Sequence, residues 1–262
     1  MRPNPVKRKI ASGGVAFGTL VLEFDSTGLA RIAAAAGADF VLFDMEHSGW
    51  TVETVRRLMT ASRAADVVPI VRPPGTQYQM ISGPLDMGTM GLMLPMVESE
   101  EQARQIVRSA KYPPVGMRGA AFGVAHDDYS GGDVGDKMRT ANEETLLIAQ
   151  IETAGGLENV DRIAAVDGID VVWIGQFDLT ASLGIPGQFT HPDYLRALER
   201  VVDAATRHGK TAGFMTTSVE EGQSLLALGF RILAYWGDIW IYGEALRAGL
   251  AGLRGTQRAP ER

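Results

Sequence analysis

The chain has 262 residues, of which 45% are hydrophobic and 21% charged, the balance of an ordinary folded domain that buries its core without crosslinks. A formal charge of −6 and a pI near 5.3 argue against a nucleic-acid partner, which would call for a basic face to neutralise phosphates. The absence of cysteine excludes disulfides, a thiolate nucleophile and a cysteine metal site.

Taken in chain order, the basic start "MRPNPVKRKI" reads as an N-terminal extension over residues 1–12. The apolar stretch after it is interrupted by Glu23 and Asp25, too soon for a signal or a membrane span. No membrane partner is expected, and the chain reads as cytoplasmic. Eight short apolar runs then follow: "GVAFGTL" (14–20), "FVLFDM" (40–45), "VVPIVR" (67–72), "GLMLPM" (91–96), "LLIAQIE" (146–152), "VVWIG" (171–175), "TAGFM" (211–215) and "RILAYW" (231–236). Segments with helical spacing separate them, among them "TVETVRRLMTASRAA", "ESEEQARQIVRSAKY", "LENVDRIAAVDG" and "HPDYLRALERVVDAATRHG", and "IYGEALRAGLAGLR" follows the last. Strands alternating with helices predict an α/β fold, and eight units predict a (β/α)8 TIM barrel built as a single domain over 1–262. The alternative, an open doubly wound sheet binding a dinucleotide, needs G-x-G-x-x-G opening a helix after the first strand, and "GGVAFGTL" does not supply it. Residues 112–145, rich in glycine and mixed charge, read as one long irregular insertion of the kind that forms a lid or an interface, and 254–262 as a C-terminal tail.

In a barrel of this kind the active site lies at the C-terminal ends of the strands, and polar residues collect there. The second run leads into Asp44, Glu46 and His47, the third ends in Arg72, the fifth in Gln150 and Glu152, the sixth continues to Asp178 and the eighth reaches Asp238. Each alone has a plain structural explanation, since strand ends leave the core and cap helices. Glu152 and Asp178 suit a divalent cation, because Mg²⁺ takes one or two carboxylates and keeps its other positions for water and substrate. Asp178 also fits a helix N-cap in "FDLTAS". Arg72 could grip a carboxylate or a carbonyl oxygen with parallel hydrogen bonds, or simply pair with a nearby acid. Of the four histidines, His191 and His208 sit at helix termini and His126 in the insertion. His47 is therefore the leading general base, although it could do no more than bond Asp44 or Glu46. None of the five lysines, Lys7, Lys9, Lys111, Lys137 and Lys210, falls at a strand end, which argues against Schiff-base chemistry and leaves carbonyl activation to a metal.

The motifs "FDMEH", "IVRP", "LDMGTMGLMLPMV", "YPPVGMRG", "AQIET" and "VDGIDVVWIGQFDLTASLGIPGQFTHP" resemble the class II, metal-dependent 2-oxo-acid aldolases of the HpcH/HpaI type, such as 4-hydroxy-2-oxoheptanedioate aldolase and 2-dehydro-3-deoxyglucarate aldolase, from about residue 14 to 253. The resemblance implies a modified TIM barrel, a hexamer arranged as a dimer of trimers, and Mg²⁺ or Mn²⁺, with Co²⁺ or Zn²⁺ as other options. It implies a 2-oxo acid donor, pyruvate or hydroxypyruvate, and an aldehyde acceptor. By motif, Glu152 and Asp178 would be metal ligands and Arg72 would contact the donor's keto oxygen. His47 would be the base, held by Asp86 of a neighbouring subunit. Asp44 would lie near the acceptor's hydroxyl and Gln150 near the donor, whose carboxylate the backbone of Gly175, Gln176, Phe177 and Asp178 would hold.

The sequence departs from the commonest pattern of that family in "GQFDLT", where "GPADLS" is typical, in "GAAFGVAHDDYSGGD", and in "GFMTTS" with "AYWGDIW", which brings Trp236 and Trp240. These differences fall on the donor-carboxylate loop and on the acceptor side. Rival expectations are a CoA-ester lyase of the citrate lyase β or malyl-CoA lyase type, a metal-dependent phosphodiesterase, and a barrel that binds a 2-oxo acid without turning it over.

Overall fold

Alternation along the predicted strands sends every second residue inward, and a computed structural model that describes residues 2–255 shows where those residues go. Eight parallel strands, β1 (Ala16–Val21), β2 (Phe40–Asp44), β3 (Val68–Arg72), β4 (Gly91–Leu94), β5 (Leu146–Ile151), β6 (Val171–Ile174), β7 (Thr211–Thr216) and β8 (Ile232–Gly237), close in sequence order into a barrel. The fold is a (β/α)8 TIM barrel. Phe40 and Leu42 of β2, Val68 and Ile70 of β3, Leu146 and Ile148 of β5, and Val171 and Trp173 of β6 fill the interior. Their neighbours Val41, Phe43, Val71, Leu147, Ala149 and Val172 face the helices and build a second apolar layer. Large and small inward residues complement each other: a Cβ at Gly213 of β7 would collide with the Trp173 indole.

Around the barrel run α1 (Pro5–Ala11), α2 (Leu29–Ala35), α3 (Val52–Ser62), α4 (Tyr78–Asp86), α5 (Glu100–Ala110), α6 (Val134–Glu144), α7 (Ala154–Glu158), α8 (Val160–Ala164), α9 (Gln176–Ser182), α10 (Pro192–Arg207), α11 (Val219–Leu228) and α12 (Asp238–Gly255). The side chains of Thr51, Ser99, Asp133, Thr153 and Ser218 each accept a first-turn amide, which is what starts α3, α5, α6, α7 and α11 where they start.

Three expectations change. The N-terminal stretch is no extension: α1 closes the N-terminal end of the barrel, with Val6 and Ile10 buried in the interior cluster. Asn4 is buried there too and donates its amide to the carbonyls of Met90 and Glu144, a tether that composition could not reveal. The segment 112–145 is not irregular throughout, since it holds a 3₁₀ turn at Ala125–Asp127 and the eleven-residue α6, capped by Asp133. "LENVDRIAAVDG" forms two short helices that meet at Asn159, which ends α7 and begins α8. The predicted tail 254–262 lies outside the described residues beyond Gly255.

The eighth βα unit is unlike the others. Of α12 only Asp238 is buried, while Ile239, Trp240, Ile241, Tyr242, Leu246 and Leu250 are exposed. Phe17 of β1 and Tyr235 of β8 are exposed as well, although they belong to the barrel wall. Among the described residues no helix is long and apolar enough to cross a membrane.

Lys111, at the end of α5, is 3% exposed, and its ammonium donates to the carbonyls of Asn142 (2.5 Å) and Thr145 (3.0 Å). Burial, reinforced by Lys7 and Arg118 and opposed by Asp170, pulls its pKa down to about 7. The unfolded chain holds this proton to about pH 10, so between pH 7 and 10 it binds a proton that the folded chain does not, and stability from this group rises with pH. Urea titrations should therefore show a gain of up to roughly 2 kcal/mol between pH 7 and 9 that Lys111→Met removes. Equal pH dependence in the two proteins would refute the assignment.

Candidate active site

The inward alternation that fills the barrel with Phe40 and Leu42 continues one step to Asp44, just as Val68 and Ile70 lead to Arg72 and Ile148 leads to Gln150. One more step beyond β5 brings Glu152. The chemistry of the site thus sits on the last inward layer, directly above the apolar interior.

Register places Asp44 opposite Arg72, and the two pair through two parallel hydrogen bonds, Nε to Oδ1 at 2.8 Å and Nη2 to Oδ2 at 2.7 Å. Burial acts to lower the pKa of Arg72, but the bond to Asp44 and the neighbouring charges of Asp44, Glu46 and Glu152 outweigh it and hold the guanidinium firmly charged. Asp44 has 0% exposure and also accepts the Glu46 amide. With both oxygens engaged and no exposed surface, Asp44 orients Arg72. Nη1 of Arg72 donates to Gln150 Oε1 (3.4 Å), which leaves one hydrogen on each of Nη1 and Nη2 unused by these bonds, and Arg72 lines the cavity.

Glu152 is 2% exposed. Its Oε1 accepts the Met96 amide at 2.6 Å, and its Oε2 accepts from Gln150 Nε2 at 2.6 Å. Burial still pushes its pKa up to about 7; the Met96 amide acts the other way, Glu46 adds to the rise, and Arg72 opposes it. Met96 holds a positive φ of 54° while presenting that amide, and nothing in "LPMV" announces it. A Cβ on Gly175 would run into Glu152 Oε2, so glycine is required beside this carboxylate.

Asp178 is exposed on the first turn of α9, whose N-cap is Gly175, so it is not the N-cap. Its carboxylate makes no hydrogen bond or ion pair among the described residues, and the residue lines the cavity. Gln176 is buried and donates to the Met215 carbonyl (3.0 Å), while Phe177 stands exposed at the rim, edge-on to Phe189.

His47 is half-exposed in the loop after β2 and also lines the cavity. Its nearest carboxylate in the chain is Glu46, with Nε2 to Oε2 at 3.8 Å. Glu46 had no assigned role, because alternation could not be carried past the end of the strand. In the structure its Oε2 is buried without a hydrogen-bond partner, 3.3 Å from Arg72 Nε, and burial raises its pKa against the pull of Arg72 and His47. Asp86 stands apart from this group within one chain: it pairs with buried Arg118 at 2.5 Å. Asp238 is no site residue. Its carboxylate accepts the amides of Leu22, Glu23 and Phe24 and starts α12.

A cavity of about 280 Å³ joins His47, Arg72, Gln150, Gly175, Gln176, Phe177 and Asp178 at the C-terminal mouth of the barrel. Among the described residues no three His, Asp or Glu side chains are grouped as a ready-made metal cage. A two-carboxylate set nevertheless fits a hard cation such as Mg²⁺. The Asp178 carboxylate is unpaired among the described residues, Glu152 carries charge that burial disfavours, and Glu46 leaves a buried oxygen without a hydrogen bond, so this corner can take further positive charge.

Residues 20–238 match the family model described as HpcH/HpaI aldolase/citrate lyase. The chain belongs to this family. It is similar to a 2-keto-3-deoxy-L-rhamnonate aldolase of Klebsiella pneumoniae, 37% identical over 98% of this chain and 96% of that one, and to one of Salmonella paratyphi B, 37% identical over 97% and 94%. Among solved structures it resembles the HpcH/HpaI aldolase from Desulfitobacterium hafniense, with a TM-score of 0.89 and 33% identity over 97% of each chain. It also resembles macrophomate synthase, with a TM-score of 0.84 and 28% identity over 97% of this chain and 89% of that one. The protein is an aldolase of the class II type, in a family whose members generally depend on a divalent metal.

Because Gly175 leaves no room for a methyl group beside Glu152, Gly175→Ala should displace that carboxylate and lower turnover about 100-fold, the cost of a misplacement near 1 Å. The thermal midpoint should fall by only a few degrees; turnover within twofold of the parent would contradict the packing described.

Proposed function

We propose that the protein is a metal-dependent aldolase that makes or cleaves hydroxy-2-oxo acids, with pyruvate or hydroxypyruvate as donor and an aldehyde as acceptor. The observation that carries this reading is the meeting, at one cavity, of a charged Arg72 locked by Asp44 with two carboxylates that lack a counter-cation, Asp178 on the lining and Glu152 buried beside it. Glu152 and Asp178 would hold Mg²⁺ or Mn²⁺, with Co²⁺ or Zn²⁺ as substitutes. Bound there, the cation would supply Lewis acidity to the donor's carbonyl.

The chain's own groups do the rest. Arg72 turns its remaining N–H groups to the donor's keto oxygen and stabilises the negative charge that grows there as the donor becomes an enolate. Gln150 lines the donor side, fixed by its bond to Glu152. The first-turn amides of α9, at Gln176, Phe177 and Asp178, have no partner within the helix and face the end of the donor that carries its carboxylate. His47 removes the proton next to the carbonyl and returns one to the aldehyde oxygen as the new carbon–carbon bond forms. In cleavage the same bond breaks, the hydroxyl proton goes to the base and the aldehyde departs.

Exchange of the donor's C3 hydrogens with D₂O, followed without any acceptor, tests the reading directly. Exchange should stop after EDTA treatment and return with Mg²⁺ or Mn²⁺, Glu152→Gln should fail to bind Mn²⁺, and Arg72→Ala should lower the rate about 10²- to 10³-fold. Exchange that survives complete metal removal defeats it.

We infer also that copies of the chain associate, up to the hexamer that resemblance implies, with Asp86 reaching His47 of a partner. Supporting this is α12, whose apolar side chains and the wall residues Phe17 and Tyr235 beside it stay uncovered, more than a lone copy usually exposes. Light scattering should give an oligomer for the parent protein and a smaller species for Leu246→Arg/Leu250→Arg. A monomeric parent would end this inference.

A further inference from the structure

The cavity is divided in two by the order of the strands. Its polar side chains come from the loop after β2, from β3, from β5 and from the first turn of α9: His47, Arg72, Gln150, Gln176 and Asp178. The adjoining sector, β7, β8 and β1 with the start of α12, contributes only apolar lining, Met215, Ala234, Leu20, Leu22 and Trp240, while Leu42, Met93, Trp173 and Ile174 add apolar surface from β2, β4 and β6. Phe177 closes the rim where the two halves meet.

This second half is built and held in place. The Trp240 indole lies against Gly237, where a Cβ would come within 2.8 Å of its ring and 3.1 Å of Leu22 Cδ1, so tryptophan, glycine and leucine form one packed wall. Asp238 fixes both sides of it, bonding the Leu22, Glu23 and Phe24 amides while starting the helix that carries Trp240. The polar atoms nearest this wall are committed elsewhere: Asp238 to those amides, Gln176 Nε2 to the Met215 carbonyl, and Thr216 to the Ser218 carbonyl and Glu221. Met215, Ala234, Leu20 and Leu22 offer a hydroxyl no side-chain N–H or O–H, which leaves the Trp240 indole N–H as the polar group carried by the wall's own side chains, whereas a hydrocarbon surface would leave water at little polar cost.

We propose that this wall is the acceptor subsite and that it selects aldehydes with an apolar body, aliphatic or aromatic, over short polyhydroxylated ones. The inference rests on the aldolase reading and deepens it. The deoxy sugar acid named for the relatives carries hydroxyls along its chain, and Leu20, Leu22, Met215 and Ala234 offer those hydroxyls no hydrogen bond.

The test separates the two claims. Exchange of the donor's C3 hydrogens without acceptor comes first, with pyruvate or hydroxypyruvate and Mg²⁺, and its absence would defeat the aldolase reading and this proposal with it. With exchange established, KM for benzaldehyde and hexanal should lie about tenfold or more below that for glycolaldehyde and glyceraldehyde. Trp240→Ala and Phe177→Ala should each raise the KM for the apolar aldehydes about tenfold, with a much smaller change for glycolaldehyde, and Trp240→Phe should restore most of the preference. Benzyl alcohol, which has no carbonyl to react, should give a saturation-transfer NMR signal with the parent protein that Trp240→Ala loses and that glycerol does not show. A preference for glycolaldehyde or glyceraldehyde, or apolar KM values untouched in both alanine variants, overturns the proposal and leaves the aldolase standing.

Discussion

The pair between Asp44 and Arg72 is the interaction on which the rest of the site depends. A guanidinium buried above an apolar barrel is tenable only if its charge is met at close range, and Asp44 meets it with two hydrogen bonds from the neighbouring strand. The pair has a second consequence. Once Asp44 is consumed by Arg72, it cannot balance Arg72 and also neutralise the acids around it, so Glu46, Glu152 and Asp178 face one another with one guanidinium already engaged. Burial is the main cause of the raised pKa of Glu152 and of Glu46, and the neighbouring acids add to it against the pull of Arg72.

Strand register is what makes the arrangement reproducible. In a parallel barrel with inward residues at every second position, a shift of one residue in β3 would turn Arg72 toward the helices and bring Val71 to the mouth. The apolar interior guards against that slip, because Val68 and Ile70 would leave it together. Packing in the lower layers therefore positions the chemistry above them, and Gly175 completes the fit by yielding its side-chain volume to Glu152.

Most of this was legible in the chain, and for a definite reason. Barrel strands buried on both faces read as short apolar runs, so all eight could be found, and the polar residue that ends such a run can only emerge at the mouth. Arg72, Gln150, Glu152, Asp178 and His47 were located in that way, and the cavity gathers four of them along its lining with Glu152 just beneath. What stayed hidden depends on contacts distant in sequence. Asp44 and Arg72 are both mouth residues by pattern, and only their register shows that one is spent on the other. Glu46 lies past the end of β2, where alternation no longer predicts direction. Asp238 looked like a site carboxylate because it follows an apolar run, but three amides of the β1 loop had already claimed it. Residues 1–12 looked like an extension because a seven-residue helix carries little periodic signal, although Val6 and Ile10 close the barrel floor.

The division of the cavity follows from the same economy of charge. The acids and the arginine must lie within a few ångströms of one another to balance, which confines them to β2, β3, β5 and the start of α9. Any ionisable group on β7, β8 or β1 would sit across the mouth from its counter-charges and would have to be desolvated alone. Asp238, the one carboxylate buried in that sector among the described residues, escapes this only by accepting backbone amides and so withdrawing from the cavity. The apolar wall is thus the complement of the polar one: where charge cannot be balanced, hydrocarbon is the stable lining, and a substrate that spans both halves must carry its polar groups at one end.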